Sequence, residues 1–151
     1  MRALPRTAIN KALETCATRV FCDTGFFVEY LDANKRAAEI WAKAKDERLK
    51  PVLSIISVYE LRKLAFKGEV KKTQTEAFLR LVPTLCNVVY LGKANSDGLL
   101  EQAARIARGN SLSMADSIIF TSALQAGATV LYTTDNDMAK YKGVGPEIVT
   151  L

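Results

Sequence analysis

A chain of 151 residues, 49% hydrophobic and 25% charged, suits one globular domain able to bury a core of its own. It contains no histidine, which excludes Ser-His-Asp and Cys-His catalytic machinery and any zinc site that needs imidazole. The formal charge of +5 favours a polyanionic partner without identifying one.

Most of that positive excess lies in the first twenty residues, where Arg2, Arg6, Lys11 and Arg19 face only Glu14. Local basic patches around an acidic site are therefore expected, rather than a uniformly positive surface. No apolar run approaches the roughly 20 residues needed to cross a bilayer, and the N-terminus lacks the apolar stretch of a secretory signal. Both observations point to the cytoplasm and away from a membrane. Cys16, Cys22 and Cys86 are odd in number, show no C-x-x-C spacing and sit beside apolar residues, so small reduced buried thiols are expected. General-base work falls to carboxylates, Lys, Tyr or metal-bound water.

Residues 1–18 are expected to form an N-terminal extension, as a short amphipathic helix over 8–17 or as a tail, ahead of a folded domain over 19–151. The apolar run 19–24, ending at Asp23, predicts a first strand. Segments 26–31 and 35–48 read as helices, the second with Trp41 on its buried face. After Pro51 the β-branched run 52–56 predicts a second strand. A helix over 57–67 stops near Gly68, and another over 73–81 ends before Pro83. Residues 87–91 (NVVYL) predict a third strand, and 96–108 a helix stopping near Gly109. The clearest helix, 113–126, has Ser113 in front and Gly127 behind. Strands over 129–133 and 147–150 complete the series. Strands alternating with helices imply parallel pairing through crossovers, hence a three-layer α/β/α sandwich with a central, mainly parallel sheet. Strand order is left open.

Four acids occupy equivalent places in this scheme. Asp23 and Asp135 end strands, while Glu60 and Asp116 fall in the first turns of the helices over 57–67 and 113–126. Strand ends and helix starts share one edge of a parallel sheet, where such folds bind ligands. Carboxylates gathered in one cleft repel unless a cation lies between them. Mg²⁺ and Mn²⁺ are hard ions that take oxygen ligands, so a histidine-free acidic cluster suits them. Each acid also has a plain structural explanation. Ser57-Val-Tyr-Glu60 and Ser113-Met-Ala-Asp116 fit the S-x-x-[DE] capping pattern, and Asp135 and Asp137 fit a turn after a strand. Asp23 is the hardest to explain that way, because an acid ending an apolar strand is costly to bury without a partner.

These residues resemble the PIN-domain family of nucleases and, within it, the VapC-type toxins of toxin–antitoxin pairs. The resemblance runs from about Arg19 to Leu151. It rests on Val20-Phe-Cys-Asp23-Thr24-Gly25-Phe26-Phe27, Ser54-Ile-Ile-Ser57-Val-Tyr-Glu60-Leu61, Leu112-Ser-Met-Ala-Asp116-Ser-Ile-Ile-Phe-Thr-Ser-Ala-Leu124 and Thr133-Thr134-Asp135. The resemblance implies a divalent-metal endoribonuclease with Asp23, Glu60, Asp116 and Asp135 as catalytic metal ligands. Asp137 would assist as an outer ligand, and Thr24 and Thr133 would support the site. It also implies a homodimer silenced by a small antitoxin protein. Met138 stands where the family often has an aromatic residue.

Arg62, Lys63 and Lys67 near the second acid are candidates for contact with the RNA backbone, beside the plainer reading of a solvated helix face. Tyr59 is expected at a core position rather than stacked on a base. Three other functions compete with the toxin. An RNA-processing nuclease of the same fold would need no antitoxin, and a non-catalytic PIN-like module would bind RNA or protein. A haloacid-dehalogenase-type phosphatase would need an Asp two residues after Asp23, where Gly25 stands.

Overall fold

Runs rich in β-branched and aromatic residues form the strands, and amphipathic segments between them form the helices. The computed structural model describes residues 18–46, 49–92 and 96–151; the expected helix over 8–17, Cys16 and nearly all of the N-terminal extension lie outside them. Along the described chain come β1 (Arg19–Cys22), α1 (Thr24–Leu31), α2 (Lys35–Lys45), β2 (Lys50–Ser54), α3 (Ile55–Lys67) and α4 (Lys72–Leu85). They are followed by β3 (Asn87–Val89), α5 (Ser96–Asn110), α6 (Met114–Gln125), β4 (Val130–Thr133), a 3-10 turn (Met138–Lys140) and β5 (Glu147–Thr150).

The strands form one wholly parallel sheet in the order β3-β2-β1-β4-β5. Successive side chains of a strand point to opposite faces, and the core divides accordingly. Val20, Cys22 and Leu53 face a cluster containing Phe26, Phe27, Trp41, Leu61 and Phe78 from α1 to α4. Phe21, Val52 and Leu131 face the other way, onto Ile106, Ile119, Phe120 and Ala123 from α5 and α6. The result is the expected three-layer sandwich. Aromatic edges lock the first layer, with Phe27 and Phe78 centroids 5.0 Å apart and Trp41 5.4 Å from Phe78; burying each such ring contributes about 2–3 kcal/mol.

The chain steps from β1 outward to β2 and β3, then crosses to the other side of β1 to add β4 and β5. The order therefore reverses between β1 and β4, and ligand crevices of open α/β sheets form at such a reversal, outside the carboxyl ends of the strands. α6 backs this junction and is buried from Ser117 through Ala123, with no polar stripe. It tolerates its hydroxyls because they bond within the turn before them, Thr121 to Ser117 O and Ser122 to Ile118 O, both at 2.7 Å.

Two expectations about element ends are corrected. The third helix starts at Ile55 because Ser54, not Ser57, caps it, its Oγ accepting the Ile56 N–H at 3.2 Å. The next helix passes through Pro83 to Leu85. Proline removes one intrahelical donor, but this lies in the last turn, where Phe78, Leu79 and Val82 remain buried against the core. α5 ends at Asn110, beside the expected stop near Gly109, and Gly127 takes the left-handed φ of +63° that follows α6. Cys22 is buried and Cys86 half-buried, and both are free thiols. No described helix is long and apolar enough to cross a membrane.

Candidate active site

Asp23 leaves the central strand β1 at its carboxyl end and turns the chain into α1. Its backbone N–H continues the ladder to Tyr132 O at 3.1 Å, and its Oδ1 caps α1 by accepting the Phe26 N–H at 2.8 Å. Its other oxygen accepts the Thr133 hydroxyl from the end of β4 at 2.5 Å. The side chain is only 4% exposed. Burial pushes its pKa up to about 6 against the two hydrogen bonds, and the charges of Asp135 and Asp116 push the same way. Asp23, Asp116 and Asp135 thus share one electrostatic field.

Thr133 also organises the fourth acid. Its Oγ1 accepts the Asp135 N–H at 2.8 Å, and Asp135 Oδ1 accepts the Asp137 N–H at 2.7 Å. These are successive turns in which a side-chain oxygen replaces the missing backbone acceptor. Asp137 is exposed and ion-paired with Lys140 at 2.7 Å. Hydrogen bonds and that ion pair therefore run unbroken from the buried Asp23 to the solvent-facing Lys140.

Asp116 lies in the first turn of α6, as expected. Its N–H bonds Ser113 Oγ at 3.2 Å, and the Ser113 hydroxyl meets its carboxylate at 2.5 Å. Cap and acid are thus one unit. Glu60 lies in the second turn of α3 rather than the first, because the helix begins earlier. It is held toward the Asp23 turn by Thr24 Oγ1, which donates to its Oε2 at 2.6 Å.

Gly25 stands where the two strand ends meet. A Cβ there would fall 1.9 Å from Thr134 Oγ1 and 3.1 Å from Thr134 Cβ, so the turn after β1 passes close against Thr134 and any side chain at position 25 would require Thr134 to shift.

The PIN domain model matches residues 20–144. The chain belongs to the PIN domain family. Its PIN fold is shared with solved toxin–antitoxin structures. A chain of VapBC2 from Rickettsia felis, bound to a promoter DNA fragment, superposes with a TM-score of 0.67 at 15% identity, covering 89% of this chain and 99% of that one. A toxin–antitoxin complex from Klebsiella pneumoniae gives 0.63 at 19% identity, covering 87% and 96%. VapC20 of Mycobacterium tuberculosis, described as a Sarcin-Ricin loop cleaving toxin, gives 0.60 at 23% identity, covering 84% and 99%. At these identities the likeness is one of fold. No curated protein sequence matches this PIN chain.

Among the described residues, no three carboxylates or thiols stand close enough to enclose a metal ion as placed. Each acid is turned instead to a hydroxyl or a backbone N–H. The donor set is nevertheless all oxygen, and Asp23 sits in the field of two other acids, an excess of negative charge that a hard cation would relieve.

Of the basic candidates, Arg62, Lys63 and Lys67 are exposed on α3, and Lys67 pairs with Glu69 at 3.5 Å. Lys140 was not singled out by sequence, although its spacing of three from Asp137 is a recognisable charge-pair signal. Tyr59 is 61% exposed, not a core residue. Met138 is buried at the site's floor, its sulfur 3.8 Å from Thr133 Oγ1.

Proposed function

We propose that this PIN-domain chain is a divalent-metal-dependent endoribonuclease that hydrolyses RNA phosphodiester bonds, and that it is the toxin of a VapBC-type toxin–antitoxin pair. The observation that carries the reading is Asp23. It is a buried carboxylate at the point of sheet reversal, locked by Thr133 and Phe26 and raised in pKa partly by Asp116 and Asp135. A protein that needed only helix caps would gain nothing by placing three acids in one field.

Asp23, Glu60, Asp116 and Asp135 would hold Mg²⁺ or Mn²⁺, with Asp137 as an outer ligand. When bound, such an ion lowers the pKa of a water and neutralises charge on the phosphate under attack. The chain's own residues orient the donors. Thr133 aims both Asp23 and Asp135, Thr24 aims Glu60, and Ser113 aims Asp116. A carboxyl with a pKa of about 6 is mostly ionised at neutral pH, so Asp23 is ready as a ligand. Arg62, Lys63 and Lys67 would meet the RNA backbone. Residues 19–151 would form the nuclease domain and 1–18 an extension to it. The fold neighbours from VapBC complexes support a small antitoxin partner, and a homodimer belongs to the same reading.

The test incubates purified protein with a panel of structured and single-stranded RNAs, in Mn²⁺, Mg²⁺ or EDTA, beside Asp116→Asn. Cleavage is expected with metal, absent in EDTA and lost in the variant. A wild type that neither cuts any RNA nor binds Mn²⁺ by calorimetry would reduce the acids to helix caps and end the nuclease reading.

A further inference from the structure

The solvent-facing pole of α3 is aromatic where its position calls for polar residues. Ser57, Leu61 and Ala65 mark the buried stripe of the helix. Tyr59 and Phe66 fall on the opposite side, seven residues apart and so within roughly 20° of each other around the axis. Tyr59 is 61% and Phe66 72% exposed. Each ring carries an ammonium group: Lys63 Nζ lies 5.8 Å from the Tyr59 centroid, and Lys72 Nζ 5.5 Å from that of Phe66. Tyr59 immediately precedes Glu60, the acid held by Thr24.

We propose that Tyr59 and Phe66, flanked by Lys63 and Lys72, form a stacking platform that delivers single-stranded RNA to the acidic site. The proposal rests on the nuclease reading above and names its substrate class. An exposed ring accepts a base face, and the neighbouring ammonium meets the phosphate that follows it. Two rings about 10 Å apart along a helix cannot clamp one base between them. Each takes its own base from an extended strand. A duplex offers no free base faces, so the platform selects single strands. Charge complementarity favours RNA over protein. A second copy docked here about a two-fold axis would bring two patches of the same positive sign together, and an apolar partner would bury those charges unpaired.

The experiment measures fluorescence anisotropy of a labelled single-stranded oligouridylate, and of an RNA duplex, in EDTA. The proteins are wild type, Tyr59→Ala, Phe66→Ala, the double alanine variant and Tyr59→Phe, each checked for an unchanged melting temperature. Each alanine should weaken single-strand binding by about 5- to 150-fold, with Tyr59→Phe close to wild type and duplex binding unmoved. Lys63→Ala and Lys72→Ala should each flatten the dependence of affinity on salt.

Oligouridylate affinity unchanged in the double variant, or no binding by wild type, would overturn the platform. So would sedimentation velocity in which the double variant splits a wild-type dimer without losing RNA affinity, assigning the face to a second copy. Metal-dependent cleavage alongside ring-independent binding overturns the platform alone. Ring-dependent binding without any metal-dependent cleavage overturns the nuclease and leaves the platform as an RNA-binding surface.

Discussion

Thr133 Oγ1 donates to Asp23 Oδ2 at 2.5 Å, joining the ends of two neighbouring parallel strands across 110 residues of sequence. The same oxygen accepts the Asp135 N–H. One hydroxyl thereby sets the direction of two acids. Replacing it with the near-isosteric valine leaves a buried carboxylate oxygen and a backbone donor unmet. Thr133→Val should cost about 2 to 3 kcal/mol in urea denaturation and abolish most metal-dependent cleavage, whereas Thr133→Ser should recover both. A valine variant as stable as wild type would show that the hydroxyl does not hold the acids.

The raised pKa of Asp23 makes a signed prediction for the metal-free protein. Its folded value of about 6 exceeds the ordinary carboxylate value of 3.8, so the native state binds the extra proton between them. The stability associated with that proton is fully present below about pH 4 and lost as pH rises through about 6. In EDTA the difference in unfolding free energy between wild type and Asp23→Asn should therefore shift by on the order of 2 to 3 kcal/mol against wild type across that window. The amide can still cap α1 through its oxygen, but its NH2 group cannot accept the Thr133 hydroxyl, so the prediction concerns the change across pH rather than the stability at any one pH. Parallel pH profiles of the two proteins would refute this.

Gly25 predicts a coupling between two turns. Gly25→Ala places a methyl group against Thr134 Oγ1 and Cβ, forcing the turn that carries Asp135 to move. A loss of about 1 to 3 kcal/mol is expected from such overpacking, with a fall in cleavage. Removing the opposing hydroxyl in Gly25→Ala/Thr134→Ala should restore part of both. Additive losses in the double-mutant cycle would mean that the turns do not touch.

Ser57 has a buried hydroxyl with no hydrogen-bond partner among the described residues. It lies on the apolar stripe of α3, where a methyl group is better matched. Ser57→Ala should be neutral or raise stability by up to about 1 kcal/mol, read as a higher urea midpoint at unchanged m-value. A clear loss of stability would reveal a partner for that oxygen.

Local chemistry was legible without any structure. β5 appears over the predicted 147–150, Ser113 caps α6 as its spacing with Asp116 suggests, and Asp23 ends the first strand. These features depend on residues within one turn or one pleat of each other, so the pattern in sequence carries them. Where a local pattern fits more than one residue's surroundings, sequence can pick the wrong one. The S-x-x-[DE] spacing pointed to Ser57 as the cap, and the sheet decided for Ser54 by ending β2 there.

What the sequence by itself determined was the run of strands and helices over the described residues, the exclusion of imidazole chemistry by a histidine-free chain, and an order of acids that resembles the PIN pattern. Tertiary structure decided which of them meet. Only the strand order β3-β2-β1-β4-β5 brings Thr133 and Asp135 beside Asp23, because no local rule fixes which strands pair across so long a separation. It also decided the ionisation of Asp23, since desolvation depends on what packs over the strand end. It decided that Tyr59 and Phe66 face solvent, because an aromatic residue reads as core until the opposite face of its helix is seen to be buried.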